Sequence, residues 1–303
     1  MNTRKDTNRM VVNKHGSFYM RSGWGTKIIR TVEEDDMIFT PSNEQQAIDN
    51  IGLGRVMIKA LRYWSEAMQL THEEKTQTGI RLVPEDIYDD IKNYDLYFQR
   101  QGSLLLMHRN LALNKENATA WYWVFNECLT NVFSKGSFVE GFHTYLAVNG
   151  MNIKKDAVEK EFNCLKNTYV GDSKFDKNNI MDEDTYPFLA PLKILKMKDK
   201  TTIEKRQLTE KEIPLEILIY AIAADNRDDS RDGKQVNIDK LMEDKNQVGK
   251  YFNLKYSRLL GMLMEAENKK YINLNNNFGN RFIEFNGYNY ENLIKKYYID
   301  KER

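Results

Sequence analysis

The tightest constraint on this chain is a short glycine-bounded turn. Gly52-Leu53-Gly54 separates two stretches of helical periodicity, Asn43 to Ile51 and Arg55 to Gln69. Glycine reaches left-handed backbone angles that other residues resist, so this tripeptide predicts an abrupt turn between two helices. Pro41-Ser42 precedes the first helix, with Ser42 or Asn43 available as its N-cap. In the second, Leu61, Trp64 and Met68 fall at i, i+3 and i+7, an apolar stripe, while Arg55, Lys59, Arg62 and Tyr63 form the opposite face. After a polar run from Thr71 to Thr78, Gly79 turns the chain into Ile80-Arg81-Leu82-Val83, a strand stopped by Pro84. Helix, tight turn, basic helix and hairpin is the order of a winged helix–turn–helix.

The pattern recurs in outline. In the middle third, Leu104 to Leu113 and Ala118 to Val132 read as helices, the second carrying Trp121, Tyr122, Trp123 and Phe125. Phe138 to Val148 is another, broken by Asn149-Gly150, and Asp156 to Tyr169 follows with Lys154, Lys155, Lys160 and Lys166 around it. Residues 171–186 are polar and acidic, the composition of a connection between domains. In the last third, Leu215 to Ala224 is an apolar helix and 225–234 a charged loop. A short helix starts at Ile238, and Leu254 to Glu267 is a longer one expected to bury Leu259, Leu260, Leu263 and Met264. Tyr271 to Leu274 and Phe282 to Phe285 read as wing strands joined by an Asn-rich turn at 275–280, with a helix from Tyr290 to Tyr298 after them. The expectation is a mainly α fold with small β wings, in tandem winged-helix-like (helix–turn–helix) domains: a winged-helix-like one with a basic arm at 1–100, a central helical, helix–turn–helix-like one at 101–186 and a winged-helix-like one at 187–303.

Composition supports a folded chain of this kind: 303 residues, 41% hydrophobic and 29% charged. The longest nearly apolar run, Ile213 to Ala224, is far shorter than the roughly 20 residues of a membrane-spanning helix. The opening residues lack an apolar core behind their basic positions, so no secretory signal is expected. The two cysteines, Cys128 and Cys164, stand outside any CxxC or Cys/His cluster, which argues against disulfide frameworks and zinc sites and for a reducing cytoplasm. Net charge is only +1, but it is unevenly spread. Residues 1–30 hold seven basic residues against one acid, 31–51 hold six acids and no Lys or Arg, and 245–303 hold 11 basic against 6 acidic residues. Such asymmetry creates the local fields that draw a phosphate backbone, although a solvated surface has the same composition.

Four groups of residues could carry chemistry. The basic face of the second helix, Arg55, Lys59, Arg62 and Tyr63, suits DNA contact, as do Lys154 and Lys155 in the middle and Lys255 and Arg258 in the last unit. The segment His15-Gly16-Ser17-Phe18-Tyr19-Met20-Arg21-Ser22-Gly23-Trp24 reads as a mobile loop. There His15 is a candidate general acid/base and Arg21 a candidate bidentate phosphate clamp; the alternative is an Arg–carboxylate bridge with Trp24 packed in the core. His108-Arg109-Asn110 and the aromatics at 121–123 read as core. The carboxylates of Glu33-Glu34-Asp35-Asp36 and of Pro84-Glu85-Asp86 through Asp90-Ile91-Lys92 superficially suggest a nuclease, but adjacent acids seldom converge and the second spacing is too short. No metal ligand set emerges.

At these same residues the chain resembles a known family. HGSFYMRSGW, LGRVMIKALRYW, LLLMHRNLALNKENATAWYWVFN and VEKEFNCLKNTYV occur in the same order as in a bacterial family long listed as a domain of unknown function. That family is similar to the SspB component of single-strand DNA phosphorothioation (Ssp) defence systems. The resemblance covers roughly residues 13–195 well. Family members usually have a proline in the opening motif where this chain has Tyr19-Met20, and often a second histidine where it has Asn110. The resemblance implies DNA engagement in phage defence beside sulfur-transfer subunits and, if it extends to the nicking component, phosphodiester hydrolysis with Mg or Mn. His15 and Arg21 match the family's opening motif. The rival expectations are a non-catalytic DNA-binding adaptor or transcriptional regulator, and a protein–protein scaffold; homodimerisation is compatible with each.

Overall fold

The computed structural model describes residues 10–170, 185–227, 234–277 and 280–300. The basic positions Arg4, Lys5 and Arg9, most of the acidic connection at 171–186, the middle of the loop at 225–234 and the tip Phe278-Gly279 lie outside the described residues.

The first unit begins with a helix that the sequence reading passed over. Helix α1 (Trp24–Glu34) starts after Gly23, which is left-handed at φ 81, and buries Trp24, Ile28, Ile29 and Val32. Helix α2 (Glu44–Ile51) follows, then Gly52 at φ 72, then α3 (Arg55–Ala67). Gly52 thus makes the turn for which it was singled out. Asn43 occupies the N-cap position of α2, but its side chain makes no capping bond; its amide donates to the carbonyl of Met37 instead, at 3.3 Å. Strands β1 (Thr71–Lys75) and β2 (Ile80–Pro84) form an antiparallel hairpin. Thr40 secures it, accepting the Ile80 N–H at 3.0 Å, and a Cβ on Gly79 would fall 2.4 Å from the Thr40 hydroxyl.

Helix α4 (Tyr88–Tyr94) leads to the middle unit, which opens with α5 (Gln101–Leu113) and α6 (Thr119–Tyr122). The single helix expected from Ala118 to Val132 is not found. It widens into a π turn at Trp123–Glu127 and ends there, and Val132 enters strand β3 (Val132–Ser134). The cause lies far along the chain. The Lys205 ammonium donates to the carbonyls of Val124 at 3.0 Å and Cys128 at 2.7 Å, taking up acceptors that a continuing helix would use. Helices α7 (Lys135–Val148) and α8 (Lys155–Tyr169) follow, α7 starting at a Ser134–Ser137 capping box. Strands β4 (Leu195–Met197) and β5 (Thr202–Lys205) complete a sheet of order β3-β5-β4 that joins residues on both sides of position 186.

The last unit holds α9 (Leu215–Asp225), β6 (Gln235–Asn237), α10 (Ile238–Glu243), α11 (Val248–Tyr251), α12 (Tyr256–Asn268), β7 (Ile272–Asn277) and β8 (Asn280–Phe285). Its sheet order, β6-β8-β7, repeats that of the middle unit, with the last strand to form lying between the other two. Within α12, Leu259 and Leu263 are buried as expected, but Leu260 is only half-buried and Met264 is 54% exposed. The buried stripe advances along Leu259, Met262, Leu263 and Ala266 and leaves these two on its flank. Helix α13 (Asn292–Asp300) packs on α9 and reaches α5, where Gly102 leaves room for the Tyr297 ring. Buried side chains from all three units form one continuous hydrophobic cluster. The fold is therefore mainly α with small antiparallel sheets, and no described helix is long and apolar enough to cross a membrane.

Candidate nucleic-acid interface

Helix α3 presents Arg55 and Lys59 to solvent, 65% and 69% exposed, on either side of the Glu44 carboxylate of α2, at 2.9 and 3.4 Å. One carboxylate serves two cations, so the ridge keeps an excess positive charge. Arg62 departs from this ridge. Its guanidinium turns back onto β1 and forms a bidentate pair with Glu73. Tyr63 was expected on the outer face and is buried, its hydroxyl donating to the carbonyl of Asn117 at 2.8 Å. The segment around His15, whose ring centre lies 5.9 Å from that of Tyr63, covers this flank.

At the start of α8, Lys154 and Lys155 are both exposed. Lys155 pairs with Glu140 at 2.5 Å, while Lys154 has no ion-pair partner among the described residues. At the start of α12, Lys255 is exposed. Arg258 is half-buried and donates to the carbonyl of Leu208 at 2.6 Å.

The opening motif is not a mobile loop around an exposed histidine. His15 is fully buried beneath Tyr63, Trp64 and Trp121. Its Nδ1 accepts the N–H of Ser17 at 3.0 Å, which places the ring proton on Nε2, 3.2 Å from the Glu161 carboxylate of α8. Glu161 also accepts the N–H of Asn13. Asn13, Gly16 and Ser17 all take left-handed angles, at φ 60, 58 and 68, so this is a tight knot. Of the two readings of this segment, Trp24 takes the core one. The Arg–carboxylate bridge is absent among the described residues: the Arg21 guanidinium sits 5.2 to 5.9 Å from the ring centres of Phe18, Tyr19 and Trp24. Its Nε has no hydrogen-bond partner among them.

His108 is a satisfied core group, as its sequence context suggested. Tyr169 and the Tyr251 carbonyl each lie 2.7 Å from its ring nitrogens, and burial lowers its pKa to about 4, keeping it neutral. Beside it, Arg109 grips the buried carboxylate of Asp225, through Nε at 2.9 Å, and Tyr251 donates to the second oxygen at 2.5 Å. Burial, the larger influence, raises the Asp225 pKa against the pull of Arg109. Trp121, Tyr122 and Trp123 are all buried.

Sequence reasoning missed a polar cleft where the three units meet. Gln69, Asp86, Arg109, Asn110, Tyr220 and Arg227 line about 390 Å³ of it. A second hollow of about 660 Å³ shares Asp86, Tyr220 and Arg227 and continues along α4 and α13. Of the acids once suggestive of a nuclease, Asp86 and Asp90 line it with their neighbour Asp89; Asp86 is paired with Arg227 and Asp89 with Lys92, which also holds Glu33. Asp90 faces Lys295, although burial, the larger influence, raises its pKa. Residues from positions 69 to 295 make this cleft, so no local motif announces it.

A family model described as a protein of unknown function, DUF4007, matches residues 12–298. The chain belongs to the DUF4007 family. Two solved structures share the fold of this DUF4007 chain, an SspB crystal structure at 19% identity and a magnesium ion-bound SspB crystal structure at 18%. Both have a TM-score of 0.80, and each alignment covers 96% of this chain and 87% of the other. The SspB likeness read from the ordered motifs therefore extends to the fold. No curated protein matches the DUF4007 chain.

Proposed function

We propose that this chain is a DNA-binding component of a phosphorothioation-based defence system, working beside sulfur-transfer subunits. The observation that carries the proposal is the exposed Arg55–Lys59 ridge at the start of α3, immediately after the Gly52 turn. A helix entering a major groove leads with its N-terminal end, and cations there meet phosphates and base edges. Lys154 and Lys155 repeat this placement at the start of α8. The sheet order repeated in the middle and last units, each a strand, then helices, then a two-strand hairpin whose second strand is central, supports reading them as winged helices. Arg21, whose guanidinium lies among the rings of Phe18, Tyr19 and Trp24 with its Nε buried, is a weaker candidate for a phosphate contact.

The test is binding of a labelled DNA duplex followed by fluorescence anisotropy across a salt series. Arg55→Glu with Lys59→Glu should weaken binding and flatten its salt dependence, since fewer counterions are released per complex. Isotherms identical to the parent protein would overturn the reading.

Strand nicking is the second reading, favoured by the fold likeness to a magnesium ion-bound SspB structure. Among the described residues, no three His, Cys, Asp or Glu side chains converge to hold a metal ion. Supercoiled plasmid incubated with the protein and Mg²⁺ or Mn²⁺ separates the readings: open circles abolished by EDTA support nicking, retardation alone supports binding.

A further inference from the structure

Two uncharged side chains of the polar cleft have no hydrogen-bond partner among the described residues. Tyr220 of α9 is only 6% exposed, and its unbonded hydroxyl opens onto both hollows. The charges that act on it come from Arg109, Asp86, Arg227 and Glu291, which places the hydroxyl where the hollows join. Gln69 closes α3 in a Schellman motif: its N–H donates to the carbonyl of Glu66 and that of Leu70 to Ser65, both at 3.0 Å. Glycine is the usual residue at that position, and Gln69 occupies it at φ 52. Its carboxamide lines the first hollow and bonds to nothing among the described residues, so the fold itself makes no use of it.

The charges around these two groups are already matched. Arg109 is taken up by Asp225 and Asn110, Arg227 by Asp86, and Glu85 lies 3.0 Å from the ring of His72. No spare cation is left to hold an anion, so hydrogen bonding rather than charge selects what enters. A phenol and a carboxamide can each donate and accept. Their complement is a neutral group with donors and acceptors side by side, and a carboxamide meets the edge of adenine in this way through two bonds. Ile87 and Ala224 add apolar contact. A hollow of about 390 Å³ admits one base and excludes a duplex. We propose that this cleft receives an unpaired nucleobase, with Gln69 and Tyr220 bonded to its edge. The assignment to DNA rests on the DNA-binding reading above. Gln69 stands about 20 Å along α3 from Arg55, the span of about six base pairs, so ridge and cleft fall within one footprint. At the mouth, Asp86 and Arg227 are 64% and 65% exposed. A solvated pair of this kind contributes little and can open, leaving Arg227 to the phosphate of the entering nucleotide.

Fluorescence anisotropy with a fully paired duplex, and with the same duplex carrying one extrahelical adenine, tests the proposal. The parent protein should bind the second about tenfold more tightly. Tyr220→Phe and Gln69→Gly should each remove most of that preference and leave binding of the paired duplex unchanged. Both variants should fold, because neither side chain has a partner to lose and glycine suits the backbone at position 69. Saturation-transfer NMR with deoxyadenosine needs no duplex, so it separates failure of this cleft from failure of DNA binding. Transfer to the parent and not to the variants supports the base site, and with equal affinities for the two duplexes it assigns the site to a free nucleoside instead of DNA. Absence of transfer without a duplex preference overturns the proposal. So does either response when both variants retain it.

Discussion

The Nε2 of His108 donates to the carbonyl of Tyr251 at 2.7 Å, tying the middle of α5 to the end of α11. A carbonyl can only accept, so the ring must carry its proton there, and Nδ1 accepts from the Tyr169 hydroxyl. The neutral ring is therefore part of the joint between two units.

Stability should consequently fall on acidification. The pKa of His108 drops from 6.5 to about 4 on folding, so between these values the unfolded chain binds more protons. Stability rises with pH across that window, and moving from pH 7 to pH 4 should remove on the order of 3 kcal/mol through this group. Urea unfolding of the parent and of His108→Gln at both pH values checks this. The variant should show the shallower pH dependence, and parallel curves would count against the assignment.

Removing the partner of Arg109 should be costly. Asp225→Ala strands a buried guanidinium and should lower stability by about 3–5 kcal/mol. Replacing both groups, Arg109→Met with Asp225→Leu, should recover most of that loss, because no unpaired charge then remains. Denaturant midpoints of the three proteins give the comparison.

Gly102 is predicted to be intolerant of even one methyl group. A Cβ there would fall 2.4 Å from the Tyr297 ring, whose hydroxyl accepts the Gly102 N–H at 2.9 Å. Gly102→Ala should cost about 1–3 kcal/mol by displacing α13. Tyr297→Phe, which keeps the ring and loses the hydrogen bond, should cost about 1 kcal/mol. Thermal unfolding should rank them in that order.

On α3 the two neighbouring cations should behave differently towards DNA. Lys59→Ala should reduce the salt slope of binding by about 0.9 if its ammonium meets one phosphate. Arg62→Ala should change that slope much less, since its guanidinium is already committed to Glu73. Equal effects would show that the Arg62–Glu73 pair opens on binding.

The parts of the fold governed by local chemistry were legible in the sequence. Gly52 announced its turn, and Leu61, Trp64 and Met68 announced the buried face of α3. Helix α1 carries the same kind of signal, with Trp24, Ile28, Ile29 and Val32 at helical spacing. What stayed hidden depends on distant partners. His15 looked exposed because the carboxylate that receives it belongs to Glu161, and the helix through Trp123 looked continuous because Lys205 ends it from another part of the chain. Tyr63 was misplaced for the same reason, since the cover over it comes from residues near position 15.

The sheet of the middle unit has a consequence for biosynthesis. Val132 pairs with Glu204, and β5 lies between β3 and β4, so the central strand emerges from the ribosome last. A nascent polypeptide that already displays α7 and α8 must hold the β3 edge unsatisfied through about 70 further codons of translation. Pairing across so long a loop is slow, and an open strand edge invites association with other chains meanwhile. Slowed elongation before Lys205 should therefore make this protein dependent on chaperones.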